Sequence, residues 1–195
     1  SGEKSVTFSL LSSPASLDPA TTTDGHSLMV ETQLFSMLVE SKGGNSSEIK
    51  PDIAESWEIS EDGLTYTFKL RDDVYFHNGK LLTADDVAYT FNRVMTEPYT
   101  SYYAAPIKSV EATDEHTFVA HLNYPFADFL TLIGGVYFGI CCEEAITAGS
   151  DFMYKPVGTG PYKLEGGYIP GQAFKFVYND QYYGAEPDIK EINFK

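Results

Sequence analysis

Four histidines, 28 acidic side chains and two cysteines are the groups in this 195-residue chain best suited to chemistry. A Ser-His-Asp triad can always be assembled from such a set, but no Gly-x-Ser-x-Gly elbow or comparable nucleophile setting is present. The carboxylates that stand close in sequence are Glu61-Asp62, Asp85-Asp86 and Glu143-Glu144. They fall at a turn and at two expected helix starts, where acids satisfy free amides and the helix dipole and need no catalytic role. His116 and His121 lie on one expected strand arm, but their odd separation sends them to opposite faces. His26 falls just before or within the first turn of an expected helix. His77 sits in Phe76-His-Asn-Gly79, where hydrogen bonding to that turn is its simplest role. Cys141 and Cys142 are neighbours, and a bridge between them would close a small, strained ring. They read as small buried apolar side chains, with a metal or redox role, or oxidation across molecules, as the alternatives. From these residues we expect no enzyme, no metal site and no cofactor.

Composition narrows the partners. Thirteen Lys plus Arg against 28 Asp plus Glu give a net charge of −15, spread along the chain. That field disfavours nucleic acid and anionic lipid, and no basic run offsets it. It either keeps a secreted protein soluble or attracts cationic ligands. No apolar run approaches the roughly 18 residues of a membrane helix. The chain starts with Ser1-Gly2, which reads as a removed leader plus a cloning remnant.

The elements that must position any site are set by periodicity. Val6–Leu11 alternates as a strand, stopped by Ser12-Ser-Pro-Ala15. From Ser27 to Val39, the positions Val30, Leu34, Met37 and Leu38 predict one face of a helix, ended by a loop at Gly43–Ser47. That loop contains an Asn-Ser-Ser sequon, read as coincidence. Ser56–Ser60 and Leu64–Leu70 flank a Gly63 turn as a hairpin, with Trp57 and Ile59 facing Tyr66, Phe68 and Leu70 as core. A second hairpin pairs Ile107–Ala112 with Thr117–Leu122 through Asp114-Glu115. Between them, Thr83-Ala-Asp-Asp86 is a capping box with Asp in place of Glu, followed by Val87, Phe91, Val94 and Met95 on one face. Pro125 opens a third helix, with Phe126, Phe129, Leu130 and Ile133 inward, and Gly134-Gly135 ends it. Tyr162–Glu165, Ala173–Tyr178 and Ile189–Phe194 are strands. The fold class is α+β.

Short motifs punctuate these elements in a fixed order. They are Ser16-Leu-Asp-Pro19, Ile53-Ala-Glu-Ser-Trp-Glu58, Asp62–Arg71, Phe76-His-Asn-Gly79, Leu82–Val87, Pro156-Val-Gly-Thr-Gly-Pro-Tyr162 and Asn179-Asp-Gln-Tyr-Tyr-Gly184. The glycines of the Pro156–Tyr162 block predict a sharp turn, where positive φ is cheap only at glycine. In order and spacing, the series resembles the extracytoplasmic solute-binding proteins of family 5 that feed ABC importers, the oligopeptide, dipeptide and nickel binders. The resemblance implies a periplasmic-binding-protein-like first lobe: a mixed core sheet from residues 1–41 and 156–195, flanking helices, and an inserted hairpin-rich subdomain at 42–155. A second lobe, absent from this chain, would close over the ligand. It further implies capture of short peptides and delivery to a membrane permease by a monomer in the periplasm or lipid-anchored outside the cytoplasm. Nickel chelates or oligosaccharides are the alternatives inside the family, and a secreted hydrolase the one outside it.

Three loops are then candidates for ligand contact. Ser12, Ser13, Pro14, Ala15 and Ser16 come after the first strand, at a place where peptide binders offer backbone groups to an extended ligand; a plain turn is the alternative. Tyr99, Tyr102 and Tyr103 come after the capped helix and supply rigid apolar area with a hydroxyl, or else simply pack over the surface. Gly134–Gly139 allows close backbone approach, with Tyr137 and Phe138 as a wall. Asp18 and Thr159 are read as braces for neighbouring turns.

Overall fold

The computed structural model describes residues 4–41, 48–149 and 151–195. The expected loop and sequon at Gly43–Ser47 lie outside the described residues, as do Ser1 and Gly2. Strand β1 (Lys4–Phe8) runs parallel to β10 (Ile189–Phe194), with Val6 opposite Ile192 and Phe8 opposite Phe194. Next come β9 (Phe174–Tyr178) and β8 (Tyr162–Leu164), both antiparallel, giving the order β1-β10-β9-β8. Segments from the two ends of the chain therefore share one sheet. Aromatic alternation binds it, because Phe194 stacks against Phe174 at 4.7 Å and meets Phe176 edge-on at 5.0 Å. β1 stops at Phe8, short of the expected Leu11; Leu10 still donates its N–H to Lys195 O, but Leu11 is 97% exposed.

Helix α1 (Gly25–Leu34) starts where Asp24 accepts the amides of His26 and Ser27. It ends five residues before the predicted Val39. Gly160 N–H donates to Leu34 O at 2.9 Å, and Phe35 turns extended, so a loop from far along the chain takes the carbonyl that another helical turn would use. The glycines make this approach possible. A Cβ on Gly158 would lie 2.1 Å from Leu34 O, and one on Gly160 2.6 Å from Gln33 O. Neither has positive φ, which among the described glycines occurs at Gly63, Gly79, Gly166 and Gly171. The Gly-Thr-Gly motif is thus a requirement of contact, not of a left-handed turn. Leu38 and Val39, freed from the helix, enter the second core, and β2 (Val39–Ser41) pairs with β3 (Ile49–Pro51).

A second sheet, fully antiparallel, has the order β4-β5-β7-β6, from β4 (Ala54–Ile59), β5 (Thr65–Leu70), β6 (Ile107–Asp114) and β7 (Thr117–Leu122). Both hairpins match the alternation. Trp57 lies opposite Phe68 and packs against the core, but Ile59, at the end of the edge strand, is 48% exposed and is not core. Helix α2 (Ala84–Thr96) lies on β6 and β7 with Val87, Phe91 and Val94 fully buried. Phe91 contacts Phe118 and Phe138 with ring centres 4.8 and 5.0 Å apart. The capping box is present: the Asp86 carboxylate accepts Thr83 N–H, and Lys80 pairs with it at 2.6 Å. Helix α3 (Phe129–Ile133) begins four residues after Pro125, because Phe126 to Phe129 first make a turn, and Gly134 caps its end. A 3₁₀ turn over Val136–Phe138 and helix α4 (Glu143–Thr147) lead back towards the first sheet.

Candidate functional site

The stretch after β1 is held by contacts from three directions. Tyr168 OH donates to Pro14 O at 2.6 Å, Gly171 N–H to Ser13 Oγ at 2.9 Å, and Ala15 N–H to Ser27 Oγ at 3.0 Å. Ser12 Oγ is 3.0 Å from His26 Nδ1. Pro14 and Ser16 are buried, and Ser16 Oγ accepts Asp18 N–H within the turn. Ser12, Ser13 and Ala15 are exposed. Among the described residues the amides of Ser12 and Ser13 and the carbonyl of Ala15 have no hydrogen-bond partner. This loop bends at Ser12 and Ala15 and leaves those backbone groups open, and an extended peptide pairs with groups of that kind in β-augmentation.

Asp18 anchors the adjoining turn. Its carboxylate takes a two-pronged bond from Arg93, at 3.0 and 2.7 Å, and accepts Ala20 N–H. The pair is largely buried, and Asp18 beside it raises the guanidinium pKa. Thr100 Oγ1 donates to Ala20 O, tying the turn after α2 to the same segment. On that turn, Tyr102 lies over Tyr103 with ring centres 3.9 Å apart, and Tyr103 stacks on Tyr137 at 4.3 Å. Tyr102 is 64% exposed, and the two rings beneath it are half-buried. Tyr99 is exposed and outside the stack. Phe138 is 1% exposed against Phe91; packing removes it from the wall that the sequence suggested.

His77 binds a different segment from the one expected. Its Nε2 donates to Gly160 O at 3.2 Å, its Nδ1 accepts Gly158 N–H at 3.3 Å, and its own N–H donates to Gly158 O at 2.9 Å. One ring donor plus one ring acceptor defines a neutral imidazole, and burial pushes its pKa down to about 4. Thr159 is buried, but its hydroxyl has no partner among the described residues, so it does not brace by hydrogen bonding. Cys141 and Cys142 are buried free thiols; burial pushes Cys141 up. No cluster of three His, Cys, Asp or Glu suited to a metal occurs among the described residues. An apolar groove of about 290 Å³ at the β1 edge, with Val6, Phe8, Met29 and Ile192 in its lining, includes neither the serine stretch nor the tyrosines.

Two acids, Glu31 fully buried and Asp52 half-buried, escape sequence reasoning. Glu31 sits inside the apolar face of α1 with Ser27, Val30 and Leu34; an acid within that stripe is the available signal. Asp52 accepts a short hydrogen bond from Tyr183 OH, with Arg71 5.0 Å from the centre of that ring, and burial raises its pKa. Its partner is 131 positions away, so no local spacing could reveal it.

The same arrangement of elements recurs in known proteins. The family description "Bacterial extracellular solute-binding proteins, family 5 Middle" matches residues 48–195. Heme-binding protein A of Haemophilus influenzae is 34% identical over 98% of this chain and 40% of its own length. The dipeptide-binding protein of Escherichia coli is 31% identical over the same shares, 98% and 40%. Among solved structures, the ABC transporter-associated periplasmic binding protein DppA from Helicobacter pylori, in complex with peptide STSA, has a TM-score of 0.87 at 32% identity. The match covers 98% of this chain and 42% of that one. The chain thus spans about 40% of the length of the relatives it matches. Its sheets and helices are those of a periplasmic-binding-protein lobe, and the chain belongs to the family 5 bacterial extracellular solute-binding proteins.

Proposed function

We propose that this chain is the first lobe of the substrate-binding component of an ABC importer that captures short peptides outside the cytoplasm. A second lobe closes over the ligand, and the loaded monomer delivers it to the membrane permease without covalent chemistry. In this reading residues 1–41 and 156–195 form the core of the lobe and 42–155 an inserted subdomain. The observation that carries it is the Ser12–Ala15 loop, exposed except at Pro14, with backbone groups free for the main chain of a peptide. Tyr102, presented on its two-ring support, offers a rigid amphipathic contact for side chains of varied type. A peptide-bound family neighbour supports the ligand class.

The test is to load the full-length protein with a mixture of di- to pentapeptides, wash, release by denaturation and identify what is recovered by mass spectrometry. Intact peptides, retained in stoichiometric amount, are the expected result. Recovery of hydrolysed fragments would favour the hydrolase. Retention of a metal chelate or a sugar in place of peptide would move the ligand class.

A further inference from the structure

Thr22 has one hydroxyl proton and two oxygen neighbours. Its Oγ1 lies 2.9 Å from the main-chain carbonyl of Asp18, which can only accept, and makes a short hydrogen bond with Glu31 Oε1. When Thr22 donates to Asp18 O, the bond to Glu31 needs its proton from Glu31, and an ionised carboxylate has none to give. Burial points the same way. Glu31 is 0% exposed, and its Oε2 has no partner among the described residues, a poor setting for a full negative charge.

Nor do the surrounding charges compensate. Asp18 and Asp24, from the segment before α1, are both acids that act on Glu31. From α2, Arg93 and Tyr89 reach the same cluster, but the guanidinium is already forked onto Asp18. Cys141, from the stretch before α4, brings a thiol that burial keeps neutral. The cation of this cluster is thus committed to Asp18, and the charges that act on Glu31 are both negative.

We propose that Glu31 is a positioning residue that acts in its protonated form, fixing the Asp18–Thr22 turn through a Glu31-to-Thr22-to-Asp18 relay of hydrogen bonds, and that loss of this proton loosens the turn. Burial raises the Glu31 carboxyl to about 8, so the relay is complete at neutral and acid pH and opens under mildly alkaline conditions. Because Ser16 bonds both to Asp18 and to Thr21, the same event reaches the stretch assigned above to peptide contact. Only that last step rests on the peptide-binding reading; the proton on Glu31 does not.

The experiment uses deuterated full-length protein carrying ¹³C at glutamate Cδ, titrated by NMR. One glutamate resonance should titrate with a midpoint near 8 and vanish in Glu31→Gln. In the wild type the amides of Thr21 and Thr22 should shift with that same midpoint. In Glu31→Gln, whose side-chain amide can still donate to Thr22, they should stay fixed across the range. Thr22→Val removes the hydroxyl and should also abolish the midpoint in the amides, a control that serves if Glu31→Gln fails to fold. All glutamates titrating below about pH 6 would overturn the protonated state. A Glu31 midpoint near 8 with unmoved Thr21 and Thr22 amides would overturn the positioning role.

Discussion

Adding a single methyl group at Gly158 should destabilise the chain far more than its size suggests. The new Cβ would sit 2.1 Å from Leu34 O, 2.7 Å from Phe35 Cδ1 and 3.0 Å from Leu34 C. Two of those atoms are backbone at the end of α1 and cannot swing aside, so the Pro156–Tyr162 loop must retreat. Overpacking of this kind costs about 1–3 kcal/mol. Retreat also weakens the bonds between His77 and Gly158, at 2.9 and 3.3 Å, and between Gly160 and Leu34, at 2.9 Å. Each is worth about 1 kcal/mol. A loss of about 3–5 kcal/mol from a domain stable by about 5–15 kcal/mol lowers the melting temperature by roughly 6–20 °C. Calorimetry on Gly158→Ala measures it. Gly25→Ala is the matched control, since a Cβ there meets nothing within 4 Å, and it should shift stability by less than about 1 kcal/mol. If Gly158→Ala melts within about 2 °C of the parent, the close approach is not what the motif is for.

Three further outcomes are expected from the same geometry. Asp18→Asn leaves the Arg93 charge buried without its partner and should cost about 3 kcal/mol, read by urea unfolding; a change under about 1 kcal/mol would show the pair to be solvated. Tyr102→Ala should weaken peptide capture by the full-length protein by about 1–3 kcal/mol at nearly unchanged stability, whereas Tyr137→Ala, half-buried beneath the stack, should lower melting temperature as well. His77 binds protons near pH 6.5 when unfolded and near 4 when folded, so between those values the unfolded state holds more protons and stability falls as pH drops. His77 should contribute up to about 3 kcal/mol to that fall, less for the part of the ring that solvent reaches, and His77→Gln should flatten the profile relative to the parent.

What the sequence displays is whatever depends on near neighbours. Alternation places both hairpins and the strands from Tyr162 onward, and Thr83 to Asp86 marks the start of α2, because such signals lie within a few residues of the structure they specify. Periodicity overruns the end of α1, continuing through Met37 and Leu38, while the stop comes from Gly160, about 125 positions downstream. His77 reads as serving its own turn for the same reason. The serine stretch and the tyrosines stand out by residue type. Burial, which separates Ser12, Ser13 and Ala15 from Ser16, and Tyr137 from Phe138, is set by tertiary packing that no local window carries. Glu31 and Asp52 go unnoticed because an acid in a sequence is by default an exposed one.

The most direct test of the account is a calorimetric titration of one peptide series, di- to pentapeptides, into the full-length protein and into residues 1–195 alone. If peptides lie between two lobes and this chain supplies one wall, the full-length protein should bind a member of the series tightly. The 195-residue chain should bind the same peptide more weakly than about 0.1 mM, or roughly 5 kcal/mol. Micromolar binding by residues 1–195, or no binding of any peptide by the full-length protein, would contradict it.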